Sequence, residues 1–311
     1  MSGLLHVLEP GLFTTVQDLG RPSAITAGVS PGGAMDRFAH STANLLVGNE
    51  VGLATLECTL SGPRLEVEHS CLLAVTGADF ELQVNGKPIP MWTGIFLSPG
   101  DQLSFKRRVT GARAYVGIAG GVAGDRWLGS ISTNLMAARG GMRGRILTRG
   151  DVLTTATDAA VPVISGRHLD SRLRPDYASH ALHAIRGPHA NRLDADAVRA
   201  LFSSTFAVSR DADRMGYRLD GPQLRSSGDE LLSFGLTAGA VQLPAGGQPI
   251  LLMADHQTAG GYPVVAAVIS ASLPIAAQLA PGEELRFVET GVDEALRLRA
   301  MQQAALASLR S

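Results

Sequence analysis

Short hydrophobic runs bounded by turn residues dominate the pattern along the chain. Runs of this kind, rich in branched and apolar residues, are typical of β-strands. One run ends at Asn85-Gly86, and both of these residues tolerate the positive φ of a tight hairpin turn. The pattern predicts a mainly β protein with many short strands, and the clearest runs are residues 71–76, 80–84, 114–119, 249–253 and 264–270.

Three segments carry helical spacing instead. Apolar residues recur three and four positions apart in residues 35–46, 191–202 and 292–309, which gives each segment an apolar face. The 36 glycines and 16 prolines among the 311 residues agree with many tight turns. Many short strands with a few helices favour paired β-barrels or sandwiches and disfavour a bundle of long helices.

Internal similarity predicts that one fold occurs twice. The segment LSPGDQLSF at 97–105 reappears as LAPGEELRF at 279–287, and LSGPRL at 60–65 reappears as LDGPQL at 219–224. The landmarks keep the same order in both halves. Because ordered self-similarity is the signature of a duplicated architecture, we infer a tandem duplication.

The repeats also suggest where the domains lie. We expect a first domain at residues 1–165 and a second at 166–311, with the linker inside 157–180, where Pro, Asp, Ser and Arg cluster. The second copy is longer between its landmarks, and its extra segment contains the polar, glycine-rich run 255–262. Insertions of this composition are a usual place for function.

Charge and composition exclude several classes of protein. The 27 Lys and Arg residues balance the 28 Asp and Glu residues, so the basic excess typical of proteins that bind nucleic acid or membrane surfaces is absent. Two cysteines are too few for a disulfide scaffold or a four-ligand zinc site. No basic n-region begins the chain, and no apolar run approaches the roughly 20 residues of a membrane span. We expect a cytoplasmic protein.

Familiar catalytic motifs are weak or missing. Residues 28–32 match G-x-S-x-G, but Pro31 has no backbone N–H for the oxyanion hole of that motif, so we favour a glycine-rich loop. The glycines at 117–124 have the wrong spacing for a dinucleotide fingerprint, and no phosphate-binding P-loop occurs. His180 and His183 are expected to be surface or packing residues, so no metal site is predicted.

Polar residues packed among glycines form the candidate site. An amide, a carboxylate and a guanidinium fall together at Gln17, Asp18 and Arg21. Asp36 stands at the start of a predicted helix, and Asp213-Arg214 is the counterpart of Asp36-Arg37 in the second copy. A further polar run, 255–258, directly follows a predicted strand.

Structural explanations compete with each of these assignments. Asp36 is also a suitable helix cap. Asp18 with Arg21 would also suit a local ion pair, and Asp213-Arg214 a turn. Composition alone does not separate these explanations from a binding site.

The polar clusters carry a resemblance to a known family. The matching segments resemble the KipA/allophanate hydrolase subunit 2 family, which includes the C component of 5-oxoprolinase and the carboxyltransferase part of urea carboxylases. This resemblance covers essentially the whole chain and implies two cyclophilin-like β-barrel domains. The matching segments are residues 11–21, 33–36, 44–49, 76–79, 117–121, 213–216 and 257–262.

The resemblance also implies a function. We expect one component of an ATP-dependent 5-oxoprolinase that opens the lactam of 5-oxoproline to L-glutamate together with a KipI-like (PxpB) subunit and a PxpA-like subunit. ATP with Mg²⁺ would bind to this chain, to a partner or at their interface. The expected catalytic residues are Asp18, Arg21, Asp36 and Asp255, and the expected substrate-binding residues are Gln17, Asn44, Asp213, Arg214, Gln257, Thr258 and Tyr262.

Two other functions stay open at this point. The chain would also suit the carboxyltransferase component of a biotin-dependent urea or amide carboxylase. It contains no Met-Lys-Met segment, so biotin is not expected on this chain. The third alternative is a non-catalytic regulatory partner that binds a KipI-like kinase inhibitor.

Overall fold

A computed structural model describes residues 3–157, 166–228 and 231–310. The chain divides into two compact units. Unit 1 holds Met1–Arg21, Gly32–Arg174 and Gln303–Ser311, and unit 2 holds Pro22–Pro31 and Pro175–Gln302. The boundary predicted at residue 165 falls within 158–165, outside the described residues, so the domain limits stay a prediction.

Unit 1 is built from two antiparallel sheets and helix α1 (Arg37–Leu46). Its strands are β1 (Leu5–Glu9), β2 (Phe13–Gln17), β3 (Thr55–Thr59), β4 (Arg64–Val67), β5 (Cys71–Asp79), β6 (Leu82–Val84), β7 (Lys87–Pro88), β8 (Gly94–Leu97), β9 (Gln102–Phe105), β10 (Thr110–Ile118) and β11 (Val152–Leu153). One sheet has the order β11-β1-β4-β9-β6-β7, and the other has the order β2-β3-β10-β5-β8. Buried residues of both sheets form one hydrophobic core, which includes Leu5, Leu56, Leu65, Leu73 and Val116.

Unit 2 contains a closed barrel. The strands of unit 2 are β12 (Ala181–Arg186), β13 (Thr205–Val208), β14 (Gly216–Asp220), β15 (Phe234–Gly235), β16 (Ala240–Gln242), β17 (Ile250–Leu252), β18 (Ala259–Gly260), β19 (Val264–Val268) and β20 (Glu284–Glu289). The barrel order is β12-β19-β16-β17-β14-β13-β20, and a parallel pairing of β12 with β20 closes it. β15 and β18 form a separate two-stranded ribbon.

Among the described residues, helices form in all three segments whose apolar spacing predicts them, and a short helix also forms where none is predicted. The remaining α-helices are α2 (Ala195–Ser203), α3 (Leu273–Ala277) and α4 (Val292–Ala307), and 3₁₀ turns lie at Pro22–Ala27, Ser171–Leu173 and Ala190–Arg192. α2 begins after Asp194, whose Oδ1 accepts from Ala197 N at 2.7 Å. Across the described ranges, no helix is long and apolar enough to cross a membrane.

The mainly β fold with a few helices is confirmed, and its predicted hairpin is present. Asn85 and Gly86 join β6 to β7 with φ values of 52° and 76°. Two successive left-handed residues are what a type I′ turn needs, and an amide side chain or no side chain fits that conformation best.

Matching turns in the two units support the tandem duplication. In unit 1, Asp101 Oδ2 accepts from Ser98 N at 2.7 Å, and the following strand begins at Gln102. In unit 2, Glu283 Oε2 accepts from Ala280 N at 2.9 Å, and the following strand begins at Glu284. The turn glycines repeat a second contact: Gly100 N donates to Val67 O at 2.8 Å, and Gly282 N donates to Val208 O at 2.7 Å.

Candidate functional site

One loop of unit 1 binds the Asp18 carboxylate. Oδ1 accepts from Ser130 Oγ and Ser132 Oγ, both at 2.6 Å, and from Gly20 N at 2.7 Å, while Oδ2 accepts from Ile131 N at 2.7 Å. Burial by itself raises the pKa of a carboxyl, but these hydrogen bonds hold the pKa of Asp18 below its ordinary value. Asp18 is therefore an ionised anchor for the loop and a weak proton acceptor at neutral pH.

Gln17 and Arg21 contact the same loop. Arg21 is only 1% exposed; its Nη2 donates to the Ser132 carbonyl, and its guanidinium carbon lies 4.9 Å from the centre of the Trp127 ring. Gln17 is fully buried, and its Nε2 donates to the Thr133 carbonyl at 3.3 Å. The three polar residues that the sequence groups together are thus held together by one loop.

Asp36 serves as the N-cap of α1, as the structural explanation predicts. Asp36 Oδ1 accepts from Ala39 N at 2.9 Å, and Asp36 is fully buried. The Asp36 backbone N–H donates to Tyr115 Oη at 2.8 Å, and that hydroxyl donates to Glu57 Oε2 at 2.8 Å. Glu57 Oε2 also accepts from Met35 N at 2.9 Å. The buried carboxylate of Glu57 therefore helps to fix the backbone at the start of the helix.

His40 and Asn44 continue this buried polar layer along α1. Burial lowers the pKa of His40 to about 4, so the ring is neutral at pH 7. Its Nδ1 contacts Thr55 Oγ1 at 2.9 Å. Asn44 Nδ2 donates to Leu53 O at 2.7 Å, and Asn44 Oδ1 accepts from Asn49 Nδ2 at 2.9 Å. Asn44 therefore holds the loop after α1, and its substrate contact stays a prediction.

In unit 2, Arg214 and Asp255 form a two-pronged ion pair. Arg214 Nε lies 2.8 Å from Asp255 Oδ2, and Nη2 lies 3.3 Å from Oδ1. Their side chains are 10% and 18% exposed, and Asp255 N also donates to Arg214 O at 2.8 Å. Asp213 is exposed and makes a turn, because its Oδ1 accepts from Met215 N at 2.7 Å and from Gly216 N at 3.2 Å.

Gln257 contacts a second glutamine, Gln242 on β16. Gln257 Nε2 donates to Gln242 Oε1 at 3.4 Å. Gln242 is 1% exposed, and its Nε2 has no hydrogen-bond partner among the residues that the structure describes. A buried amide N–H without an acceptor costs roughly 1–3 kcal/mol. Gln242 Nε2 is therefore a buried donor whose hydrogen bond is not made within the described residues.

Gly260 and an aromatic pair border the two amides. A Cβ on Gly260 would lie 2.6 Å from Gln257 Nε2 and 3.3 Å from Gln242 Nε2, so the bare backbone packs against both side chains. Phe234 pairs with Gly260 in the β15–β18 ribbon, and its ring centre lies 4.9 Å from that of His189. Nδ1 of His189 accepts from the Val264 amide at 3.1 Å, which leaves the proton of the neutral ring on Nε2.

Thr258 and Tyr262 flank this glutamine pair along the chain. The Thr258 carbonyl accepts from Leu236 N at 2.9 Å, and Tyr262 is 49% exposed. Their substrate contacts stay predictions. The predicted site residues thus divide between the units: Gln17, Asp18, Arg21, Asp36 and Asn44 belong to unit 1, and Asp213, Arg214, Asp255, Gln257, Thr258 and Tyr262 belong to unit 2.

Sequence reasoning missed three kinds of residue at these clusters. Ser130 and Ser132 lie more than a hundred positions from Asp18, and only their hydroxyl alternation next to a glycine marks them. Gln242 sits in an otherwise apolar strand, where a lone glutamine was the available signal. Glu57 and Tyr115 lie in buried strands and form part of the support for the start of α1.

Comparisons with known proteins agree with this architecture. Residues 27–289 match the model of a family described as carboxyltransferase domain, subdomain A and B. The chain is 37% identical over 303 residues to the C component of 5-oxoprolinase from Escherichia coli K12, covering 96% of each protein.

Two solved structures are also similar. The structure of the K. lactis urea amidolyase superposes with a TM-score of 0.92 at 28% identity, covering 99% of this chain and 20% of that one. The structure of TTHA0988 superposes with a TM-score of 0.81 at 36% identity, covering 92% of this chain and 55% of that one. The chain belongs to the carboxyltransferase subdomain A and B family.

Proposed function

We propose that this chain is the C component of an ATP-dependent 5-oxoprolinase, a cytoplasmic complex that opens the lactam of 5-oxoproline to L-glutamate. A KipI-like (PxpB) subunit and a PxpA-like subunit would complete the assembly. The observation that carries the proposal is the end-to-end similarity to the E. coli protein, which matches 96% of both chains. In contrast, the chain matches only 20% of the K. lactis urea amidolyase.

The Gln242–Gln257 pair supports an amide or carboxylate as the bound group. The amide N–H at Gln242 Nε2 is buried, and no acceptor for it lies within the described ranges. A lactam carbonyl would accept this hydrogen bond, and the bond would strengthen as negative charge develops on the oxygen during ring opening. A neutral donor suits this task because it stabilises the oxyanion without giving up a proton.

The Arg214–Asp255 pair supplies the charge near the polar run of unit 2. Asp255 directly precedes His256-Gln257 along the chain, and Arg214 holds its carboxylate with two nitrogens. Two hydrogen bonds from the planar guanidinium hold both side chains in one orientation. We infer that this pair positions the run 255–258.

The three carboxylates that the sequence predicts as catalytic are already engaged within the described structure, so they do not suit a Mg²⁺–ATP site. Hydrogen bonds from four donors engage Asp18, Asp36 caps α1, and Asp255 is paired with Arg214. Mg²⁺ on ATP prefers carboxylate oxygens that are free to bind it. We therefore propose that the nucleotide, which supplies the driving force for breaking an amide, binds on a companion protein of the complex.

A substrate comparison tests the proposal. The three proteins are mixed and supplied either with ATP and 5-oxoproline or with carboxybiotin and urea. Glutamate release in the first mixture supports the proposal. Carboxylation of urea in the second mixture would favour the carboxyltransferase alternative. The similarity to the K. lactis urea amidolyase is the observation that supports this alternative. Binding of the KipI-like subunit without turnover of either substrate would favour the regulatory alternative.

A further inference from the structure

The segment at residues 125–145 folds into two short hairpins, followed by a turn closed between Met142 and Arg145, in unit 1. Paired backbone hydrogen bonds close it at its base, from Asp125 N to Gly141 O at 2.8 Å and back at 3.1 Å. The first tip is closed between Trp127 and Ser130, and the second is the turn at 134–139. We call this segment the double hairpin.

Hydrogen bonds fix the second tip. Asn134 N donates to Arg139 O at 2.8 Å, and Arg139 N donates to Asn134 O at 3.1 Å. The side chain of Asn134 also accepts from Ala137 N at 2.8 Å. A tip that is already ordered loses little conformational freedom when it binds, which favours affinity.

Both tips present apolar side chains to solvent. Met136 is 87% exposed, Leu128 is 47% exposed and Leu135 is 40% exposed. A single exposed apolar residue is ordinary, but this one segment carries three on its two tips, and Leu135 and Met136 are consecutive. We refer to these three exposed side chains as the patch. Methionine and leucine at such positions are suited to entering a pocket on another protein.

The backbone carries strain where this patch is displayed. Leu128 has φ 48° and Ala138 has φ 51°, which is the left-handed region that residues with a Cβ avoid. A leucine in this conformation is strained relative to glycine, and such strain clusters at functional positions. Neither residue gains a buried contact in return, since Leu128 is 47% exposed and Ala138 is also exposed.

Exposed basic side chains accompany the patch on the double hairpin. Arg126, Arg139 and Arg143 are exposed on the double hairpin, against one exposed acid, Asp125. The chain as a whole has a net charge of −1, so this excess is local. A two-fold contact between copies of this chain centred here would bring like charges together, which disfavours self-association.

We propose that the double hairpin docks into an apolar pocket with an acidic rim on the KipI-like subunit, with Met136 as the anchor. The inference rests on the proposed function, because that function supplies the partner. The TTHA0988 chain contains further polypeptide beyond the part that this chain matches, which is 55% of its length. Ser130 and Ser132 lie in the double hairpin and donate hydrogen bonds to Asp18, so docking would also restrain these hydrogen bonds.

Binding of the purified KipI-like subunit to the full chain tests the proposal without ATP or 5-oxoproline. We expect Met136→Asp to weaken the affinity at least about 30-fold, as for a hot-spot anchor. Leu128→Gly should weaken binding while leaving the chain as stable or more stable, because glycine removes the strain at φ 48°. Leu12→Asp, at a residue of unit 1 that is 64% exposed, is the matched control and should change affinity less than twofold.

Three outcomes would overturn the proposal. These are wild-type affinity in Met136→Asp, equal weakening in Leu12→Asp, and a wild-type chain that does not bind the KipI-like subunit. A homodimer that Met136→Asp dissociates, with KipI-like binding intact, would assign the surface to self-association instead. Because lactam cleavage is not part of the assay, a complex that forms but does not hydrolyse 5-oxoproline would refute the proposed function alone.

Discussion

Ser132 Oγ donates a hydrogen bond to Asp18 Oδ1 at 2.6 Å, across 114 positions of the chain. The bond joins the end of β2 to the double hairpin, and Ser130 repeats it from two residues away. Asp18 is thereby an organising residue of unit 1, and its charge is the feature on which the loop depends. A carboxylate that accepts several hydrogen bonds is stabilised in its ionised form.

Replacing the charge of Asp18 should destabilise unit 1. In Asp18→Asn, the amide nitrogen cannot accept the hydrogen bonds that one carboxylate oxygen accepts, so buried donors lose their partner. We expect a loss of roughly 2–4 kcal/mol in the free energy of unfolding, measured by urea denaturation at pH 7. Asp125→Asn, at an exposed aspartate of the same segment, is the control and should cost under about 0.5 kcal/mol.

The contribution of Asp18 should also depend on pH in a defined direction. Because the folded pKa lies below the ordinary value of 3.8, the stabilisation is fully present above that value and is lost as the pH falls through the folded pKa. The stability difference between wild type and Asp18→Asn should therefore be constant from pH 7 to 5 and shrink in stronger acid. A difference that grows on acidification would contradict the assignment.

His40 should make the wild-type protein less stable in mild acid. The folded pKa of His40 is about 4, below the ordinary value of 6.5. Between these two pH values the unfolded state binds a proton on this ring and the folded state does not. Lowering the pH from 7 to 5 should cost about 2 kcal/mol through His40 alone. His40→Gln has no such titration, and a urea series over this range should show a flatter profile. An unchanged slope would count against a neutral buried His40.

The Arg214–Asp255 pair should be strongly coupled. A double-mutant cycle with Arg214→Ala and Asp255→Ala should give a coupling energy of about 1–3 kcal/mol in unfolding experiments, because both side chains are largely shielded from water. Either single variant should lower glutamate release by the complex at least about 100-fold if the pair positions the run 255–258.

An exposed pair in the same unit provides the comparison. Arg186 Nε lies 2.6 Å from Glu289 Oε1, yet these side chains are 56% and 45% exposed. Its cycle should give less than about 1 kcal/mol. Equal coupling in the two cycles would show that burial adds nothing to the Arg214–Asp255 pair.

Gln242 should affect the chemical step more than the stability. Gln242→Leu removes a donor that lacks a partner in the described part of the chain, together with one long hydrogen bond of 3.4 Å from the exposed Gln257, so the free energy of unfolding should change by less than about 1 kcal/mol. If Nε2 stabilises the developing oxyanion, kcat for 5-oxoproline should fall about 100-fold or more. Gln223→Leu, at an exposed glutamine, is the matched control for the assembled complex. Wild-type kcat in Gln242→Leu would remove Gln242 from the site.

Local signals account for the parts of the fold that the sequence predicts. Asn85-Gly86, the PG turns at Pro99 and Pro281, and the spacing of α1 each depend on neighbours in the chain. Helices α1 and α2 begin later than the apolar spacing predicts, because Asp36 and Asp194 cap them. The closing of the unit 2 barrel by a parallel pairing of β12 with β20 is a long-range choice that no local pattern shows.

The candidate site shows the same difference between residues that are neighbours in the chain and residues that meet only in the fold. Gln17, Asp18 and Arg21 are found from sequence because they are adjacent and share one loop. The pairing of Arg214 with Asp255 joins two residues that the sequence marks separately, 41 positions apart. Gln242 is missed because the apolar pattern around it predicts a buried strand, and the sequence alone does not show which groups surround its amide.

The central claim is tested most directly by leaving this chain out of the reconstituted enzyme. The KipI-like and PxpA-like proteins are incubated with ATP and 5-oxoproline, with and without the chain, and glutamate is measured. The account predicts that glutamate appears only when all three proteins are present and that ATP is consumed in proportion. Glutamate release at the same rate without the chain, or none with it, would contradict the account.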